Sequence, residues 1–98
     1  MRSPALAWDE WNRQHIKKHK VTEKEVNEAY EAEFGRSQSY ANRQAIYGRT
    51  KKDRLITVIV SFEKQKGPYV VTARDISSKE KRNYYHEKEY QTKANKTV

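Results

Sequence analysis

The sequence predicts an α+β domain with an N-terminal αα-hairpin, an antiparallel β-sheet of three to four strands and a C-terminal helix. Three observations predict this class: apolar residues recur at helical spacing in the first third, alternate with a period of two after Gly35, and give way to a new helix-start pattern at Ser77. The 98 residues are enough for one domain and too few for two separate cores. We therefore treat residues 1–98 as a single domain and expect residues 91–98 to form a frayed tail.

The first predicted helix spans residues 7–19. Trp8, Trp11 and His15 stand at positions i, i+3 and i+7, so they share one face of a helix. His19 continues this face four residues after His15, a spacing that can bind a metal ion. The lysines beside the two histidines would repel a dication and no third ligand is identifiable, so we expect a structural role and no metal. A role for His19 as a proton carrier stays open.

The second predicted helix begins at Thr22, which forms a capping box with Glu25. Val21 and Val26 occupy the two positions of a hydrophobic staple. The apolar stripe of this helix runs on to the residue before Gly35, and Gly35 is placed to end the helix. The short connection between the two helices indicates an αα-hairpin.

The predicted strands comprise residues 44–49, 55–62 and 69–76, and the polar segment 36–42 is able to carry a short edge strand. Residues 55–62 are almost continuously apolar and β-branched, which is typical of a central strand covered on both faces. A turn at residues 50–53 and a hairpin at Gly67-Pro68 connect the strands. Connections this short make the sheet antiparallel.

The final predicted helix begins at Ser77, which forms a capping box with Glu80, and runs to about residue 90. It interleaves basic and aromatic side chains: Lys79, Lys81, Arg82, Tyr84, Tyr85 and His86. This combination suits RNA, because bases stack on rings and phosphates meet cations. It equally suits a helix that packs its tyrosines on the sheet and leaves its lysines in solvent.

The net charge of +8 is unevenly distributed. Residues 1–35 are nearly neutral, and the excess of Lys and Arg over Asp and Glu lies in residues 36–98. This asymmetry favours an anionic partner for the second part of the chain, although a solvated basic surface would give the same pattern. The absence of cysteine excludes a disulfide framework and a cysteine zinc site. No secretory signal or membrane span is visible, so we expect a cytoplasmic protein without a membrane partner.

Two sets of arginines and lysines are candidates for phosphate contacts. The turn at residues 50–53 is surrounded by Arg49, Lys51, Lys52 and Arg54. These cations would either bind phosphates or protect the end of the hairpin from pairing with another strand. Arg74 lies near the end of an apolar strand, where an arginine has either an assigned carboxylate partner or a ligand.

Arg74 leaves two readings open. Strict alternation would place it on the same face as Val70 and Thr72. Its partner would be Asp75, Glu80 or a carboxylate of the second helix, and its ligand would be an anion. The residues alone do not decide between them.

Three short blocks, which together span residues 8–85, resemble the BrnT-like toxins of bacterial type II toxin–antitoxin systems. The blocks are Trp8-Asp9-Glu10-Trp11-Asn12 with His15-Ile16, His19 and Val21; Gly48-Arg49-Thr50 with Asp53-Arg54-Leu55; and Thr72-Ala73-Arg74-Asp75 with Glu80, Arg82 and Tyr85. The chain departs from the pattern at Lys20 and Asp53, where the family has glycine, and at Ile76, where it has a small residue.

The resemblance implies a RelE-like fold and a metal-independent endoribonuclease that needs no cofactor and inhibits translation. A general base would deprotonate a ribose 2′-hydroxyl while cations stabilise the phosphate. The resemblance also implies a ribbon-helix-helix antitoxin partner, with DNA bound only through the toxin–antitoxin complex. A homodimer, and a non-catalytic module that binds RNA or a protein on the same fold, stay open as alternatives.

Carried over onto this sequence, the resemblance assigns roles to six residues. Arg49, Arg54 and Arg74 would contact the phosphate and the transition state, and we expect them to converge on one concave spot. His19 would be the general base or acid, and Tyr85 and Arg82 would position the substrate. The basic clusters described above, and not the resemblance, make Lys51, Lys52 and Lys79 the expected RNA contacts.

Overall fold

The computed structural model describes residues 5–63 and 67–85. Within them the helices are α1 (Glu10–Lys17), α2 (Glu23–Glu31) and α3 (Ser78–Tyr84), and the strands are β1 (Glu33–Gln38), β2 (Arg43–Arg49), β3 (Leu55–Ser61) and β4 (Tyr69–Asp75). The strands form one antiparallel sheet in the order β1-β2-β3-β4. The α+β class, the N-terminal helix pair, the four-stranded sheet and the C-terminal helix are therefore confirmed.

Local capping signals set the start of each helix. Thr22 accepts a hydrogen bond from the backbone N–H of Glu25 and the Glu25 carboxylate accepts one in return, as predicted. Ser77 and Glu80 form the same reciprocal pair at the start of α3. Asp9 caps α1, so this helix begins at Glu10 and ends at Lys17. The helix predicted for residues 7–19 is therefore too long at both ends, and Trp8 precedes the observed helix.

One face of the sheet is covered by α1 and α2, and this layer is the hydrophobic core. Its fully or nearly fully buried members include Ile16, Val21, Val26, Ala29, Ile46, Ile56, Val58, Val60, Val70 and Ala73. Helix α2 crosses β2 so closely that a Cβ atom added to Gly48 would lie 1.8 Å from the carbonyl oxygen of Ala29. Glycine at this position therefore sets the distance between helix and sheet.

The opposite face of the sheet, which we call the α3 face, carries α3. One row of residues runs across the four strands beneath this helix: Gly35, Tyr47, Thr57 and Arg74. The Tyr84 ring stacks on the Tyr47 ring at 4.4 Å between centroids, and Glu80 binds Thr57 and Arg74. The central strand is thus covered on both faces at this row, where Thr57 is fully buried.

Helix α2 is shorter than the apolar pattern predicts. Ala32 leaves the helical conformation, with φ −107° and ψ 42°, and its carbonyl accepts a hydrogen bond from the backbone N–H of Arg49. The prediction that Gly35 ends the helix is wrong, because Gly35 lies in β1 and pairs with Tyr47. Pairing with a long neighbouring strand overrides the local helical pattern.

A β-bulge in β4 changes which residues share a face. The register shifts between Ile59, which pairs with Thr72, and Val60, which pairs with Val70, so that Val71 is the extra residue. Val70 is fully buried on the helix side, whereas Thr72 and Arg74 lie on the α3 face. The prediction that Arg74 shares a face with Val70 is wrong for this reason, and its shared face with Thr72 is confirmed. The predicted continuation of α3 to residue 90, His86 and the tail 91–98 lie outside the described residues.

Candidate nucleic-acid interface

Three separate segments bring basic side chains to one end of the sheet. Arg54, at the start of β3, donates a hydrogen bond to the carbonyl of Lys20 in the α1–α2 turn at 2.9 Å. The same guanidinium binds Asp75 at the end of β4, directly before α3 begins. The β2–β3 turn lies at this end as well. We call it the basic end, and its exposed basic side chains are Lys18, His19, Lys20, Lys51, Lys52, Lys79, Lys81 and Arg82.

The β2–β3 turn is ordered by Thr50, whose side chain is nearly completely buried. Its hydroxyl oxygen accepts hydrogen bonds from the backbone N–H groups of Lys52 and Arg54 at 3.3 and 3.0 Å. The backbone N–H of Lys51 donates to the Glu28 carboxylate of α2. The backbone of the turn is therefore held, while the side chains of Lys51 and Lys52 extend into solvent.

Arg54 is bound by two carboxylates on the helix side of the sheet. It donates to Asp75 at 2.7 Å and to Glu25 at 3.0 Å, in addition to the Lys20 carbonyl. These contacts tie the α1–α2 turn, α2 and the ends of two strands together. Arg54 lowers the pKa of Asp75, and it adds to the lowering of the Glu25 pKa, which is due first to the backbone N–H of Thr22.

Arg74 is paired with Glu80 on the α3 face. Two parallel hydrogen bonds of 2.9 Å join the guanidinium to the carboxylate, which also accepts the Thr57 hydroxyl at 2.8 Å. The Glu80 side chain is 18% exposed and that of Arg74 is 35% exposed. The hydrogen bonds from Arg74 lower the pKa of Glu80 to about 2 despite its burial. Of the partners left open for Arg74, the structure selects Glu80.

The three arginines do not converge on one concave spot. Arg54 lies on the helix side of the sheet, whereas Arg74 and, by strand alternation, Arg49 lie on the α3 face. Each is paired with a carboxylate, and the partner of Arg49 is Asp53 at 3.6 Å. A single phosphodiester held by all three guanidinium groups is inconsistent with this arrangement. The expectation of convergence is therefore wrong, although all three lie toward the basic end.

The remaining predicted site residues are spread between the basic end and the α3 face. His19 is exposed in the turn after α1, and His15 stacks on Trp11 with 4.6 Å between ring centroids, so the two histidines do not share a helix. Tyr85 caps the C-terminal end of α3 and packs edge-on against Phe34. Across residues 5–63 and 67–85 no group of three or more histidines and carboxylates has the arrangement of metal ligands.

Sequence reasoning missed the layer that supports Arg74. Tyr47, Thr57 and Tyr84 surround the Arg74–Glu80 pair, and burial raises the pKa of Tyr47. Glu80 is predicted both as a helix cap and as one of the possible partners of Arg74. No sequence signal selects it over Asp75 or a carboxylate of α2, because that contact depends on how α3 crosses the sheet.

Acidification is expected to remove the stability that the Arg74–Glu80 pair contributes. Because the Glu80 pKa is lowered from 4.5 to about 2 in the folded protein, the contribution is complete above about pH 4.5 and is lost as the pH falls toward about 2. This shift corresponds to at most about 3 kcal/mol. Urea unfolding of the parent and of Glu80→Gln across this range measures the difference, which should shrink as the pH falls.

Glu31→Gln, on the exposed side of α2, is the matched control and should keep the pH dependence of the parent. Asp75 and Glu25 titrate in the same direction as Glu80, so the comparison with the Glu80 variant is what isolates this pair. Parallel pH profiles for the parent and Glu80→Gln would contradict the assignment.

Comparison of the chain with family models, with curated proteins and with solved structures finds no match. In the described part of the chain no helix has the length and apolar character needed to cross a membrane.

Proposed function

We propose that this protein binds RNA and that the basic end contacts the phosphates. One observation carries the proposal: three segments that are distant in sequence place exposed lysine and arginine side chains at the same end of the sheet. The inner arginines are held by carboxylates, whereas Lys51, Lys52, Lys79, Lys81 and Arg82 have no ion pair with another described residue. These five side chains are therefore free to neutralise an external polyanion.

RNA is favoured over other polyanions because aromatic rings accompany the cations. Tyr84 and Tyr85 are half-buried at the C-terminal end of α3, next to the exposed Lys81 and Arg82. Unpaired bases stack on such rings while the backbone meets the cations. Tyr84 also packs on Tyr47 and Tyr85 on Phe34, so a base would meet the exposed part of each ring.

Removing two cations of the basic end is expected to weaken RNA binding about tenfold at about 0.15 M salt. Each lost phosphate contact lowers the slope of log affinity against log salt by about 0.7 for a single strand, so Lys81→Gln with Arg82→Gln should lower it by about 1.4. Fluorescence anisotropy with a labelled single-stranded 12-nucleotide RNA, repeated over a salt series, measures both quantities.

The matched control is Arg13→Gln with Arg36→Gln, which removes the same net charge. Arg13 is paired with Glu23 and Arg36 with Glu33, so neither belongs to the unpaired cations of the basic end. An equal loss of affinity in both double variants would mean that only net charge matters. No RNA binding by the parent would overturn the proposal outright.

The second candidate function is a metal-independent endoribonuclease of the BrnT-like toxin class, neutralised by a ribbon-helix-helix antitoxin. Glu80, whose pKa Arg74 lowers to about 2, is a weak proton acceptor, so the general base of this candidate would be the exposed His19. The backbone at Lys20 and Asp53 favours this candidate. These residues replace glycines of the toxin pattern, and both have a positive φ, 59° and 68°, which glycine adopts most readily.

In a toxin–antitoxin complex of this class, the antitoxin would contact DNA.

Incubation with RNA in EDTA separates the two candidates. Discrete cleavage by the parent that is lost in His19→Gln, with an unchanged melting temperature, would favour the nuclease, because His19 is exposed and supports no described contact through its side chain. Arg74→Lys keeps the charge beside Glu80 and tests the bidentate contact. If the parent binds RNA but does not cleave it, the result would favour the non-catalytic binding module.

A further inference from the structure

We infer that the end of the sheet opposite the basic end holds one unpaired base of the bound RNA, packed against Trp11 and recognised through Glu63, with guanine preferred. The inference rests on the proposed RNA binding and adds a base-specific subsite to it. It is carried by a cleft, by a cluster of exposed aromatic rings and by the polar groups of the cleft wall.

The cleft lies on the same face of the sheet as α3. Arg43, Ser61 and Tyr69 are paired across β2, β3 and β4, and they form the last row of the α3 face. The basic end of β2, at Arg49, lies six residues away from Arg43 along this strand, or about 20 Å. A single strand of a few nucleotides can span this distance, so phosphates at the basic end and a base in the cleft are compatible with one RNA.

The cleft has a volume of about 410 Å³, and its aromatic wall is preorganised. The rings of Trp11 and Tyr69 lie 6.4 Å apart at 30°, and His15 stacks against Trp11 from the next turn of α1. The Tyr69 hydroxyl donates to the Asp9 carboxylate at 3.0 Å, which fixes the ring. A volume of this size lies within the range of small-molecule sites.

Exposed aromatic residues are concentrated at this end. Within residues 5–63 and 67–85 the exposed large hydrophobic side chains are Trp11, Tyr40 and Phe62, which are 54%, 79% and 45% exposed. Trp11 lines the cleft, and Tyr40 in the β1–β2 turn and Phe62 directly after β3 lie at the same end of the sheet. Exposing aromatic rings to water is unfavourable, and stacking with a nucleic-acid base removes this exposed surface. Every base can stack in this way, because every base has a π-face.

The charges of the cleft wall indicate a base rather than a phosphate at its centre. The Glu63 carboxylate accepts a hydrogen bond from the Asn42 amide at 3.2 Å and keeps further acceptor capacity, but it repels a phosphate. Guanine presents two adjacent N–H donors to a carboxylate, and uracil does not. Arg43, at 5.8 Å from the Tyr40 ring centroid, lines the same cleft and supplies a cation for the flanking backbone.

Trp11 itself can report on this site. The protein has two tryptophans, and Trp8 is partly buried with its indole N–H bound to Asn27, so Trp8→Phe leaves Trp11 as the only tryptophan, which can be excited selectively over the tyrosines. Titration of this variant with the pentanucleotide UUGUU should quench the fluorescence to saturation. UUUUU should bind more weakly, and Glu63→Gln should remove most of the difference between the two.

Trp11→Leu should weaken binding of the 12-nucleotide RNA by roughly five- to 150-fold, the range for loss of one stacked base, with an unchanged salt slope. The Lys81/Arg82 variant should lower the slope, so loss of the base subsite and loss of phosphate contacts are distinguishable. Unchanged affinity in Trp11→Leu without quenching in Trp8→Phe would overturn the inference and leave RNA binding intact.

Two further results would count against the subsite. A parent that binds no RNA would overturn both this inference and the proposed function. A change of sedimentation in Trp11→Leu with unchanged RNA affinity would show a protein interface at this end, which also overturns the base subsite.

Discussion

Replacing Gly48 with alanine is expected to lower the free energy of unfolding by about 3 kcal/mol. The added Cβ would lie 1.8 Å from the carbonyl oxygen of Ala29 and 2.5 Å from its carbonyl carbon. Both are backbone atoms of α2, so no side-chain rotation relieves the contact, and the helix must move away from the sheet. Such a movement would disturb the packing of Val26 and Ile46, which are fully buried.

Urea unfolding monitored by circular dichroism measures this effect, with Gly35→Ala as the control. A Cβ atom on Gly35 would meet the side chain of Tyr84 at 3.1 Å, and a side chain can shift by a few tenths of an ångström. The control should therefore lose well under half as much stability. A Gly48→Ala protein as stable as the Gly35→Ala protein would show that α2 does not cross β2 as closely as described.

Replacing Asn12 with leucine is expected to cost about 4 kcal/mol, although the two side chains are similar in volume. Asn12 is completely buried, and its amide donates to the carbonyls of Ala7 and Val70 at 3.0 and 3.1 Å. Its carbonyl accepts the backbone N–H of Asp9 at 2.9 Å. Leucine would leave these three backbone groups without partners, and it would release the segment before α1 from the edge of β4.

The control for this change is Gln14→Ala on the same helix. Gln14 is exposed and bonds only Glu10 among its described side-chain contacts, so its loss should change the unfolding free energy by less than about 0.5 kcal/mol. The two variants should therefore differ severalfold in their effect on the urea midpoint. Equal midpoints would mean that Asn12 is hydrated in solution and does not anchor the N-terminal segment.

Both predictions concern positions of the blocks that resemble the toxin family. Asp9 and Asn12 cap α1 and anchor the preceding segment. Gly48 allows α2 to approach the sheet closely, and Thr50 orders the β2–β3 turn. These residues act through the fold. In the proposed interface, RNA is contacted by exposed residues outside the blocks, such as Lys51 and Lys81. It is also contacted by the Trp11 ring, which lies in the first block but to which the resemblance assigns no role.

The elements of the fold that rest on neighbouring residues are predictable from the sequence. The capping boxes at Thr22 and Ser77 need a hydroxyl and a carboxylate three residues apart, so sequence spacing is sufficient to identify them. The strand of β-branched residues from Leu55 to Ser61 is likewise evident, because a short continuous apolar run and a high β-propensity coincide there.

The candidate site is predictable only as a list of charges. The sequence shows that cations accumulate in residues 36–98, but the bulge at Val71 decides that Arg74 faces α3. Asp75 and Glu25 lie on the helix side of the sheet, and their ion pairs with Arg54 give this arginine a structural role. Neither outcome follows from spacing, since a one-residue shift moves a strand side chain to the opposite face.

The sequence by itself determined the α+β class, the starts of α2 and α3 and the uneven charge, because each depends on contacts within a few residues or on composition. Tertiary structure alone decided the end of α2, the pairing of Arg74 with Glu80, and the separation of a basic end from an aromatic end around Trp11 and Tyr40. These features depend on which segments meet across the sheet, and a one-dimensional pattern does not contain that geometry.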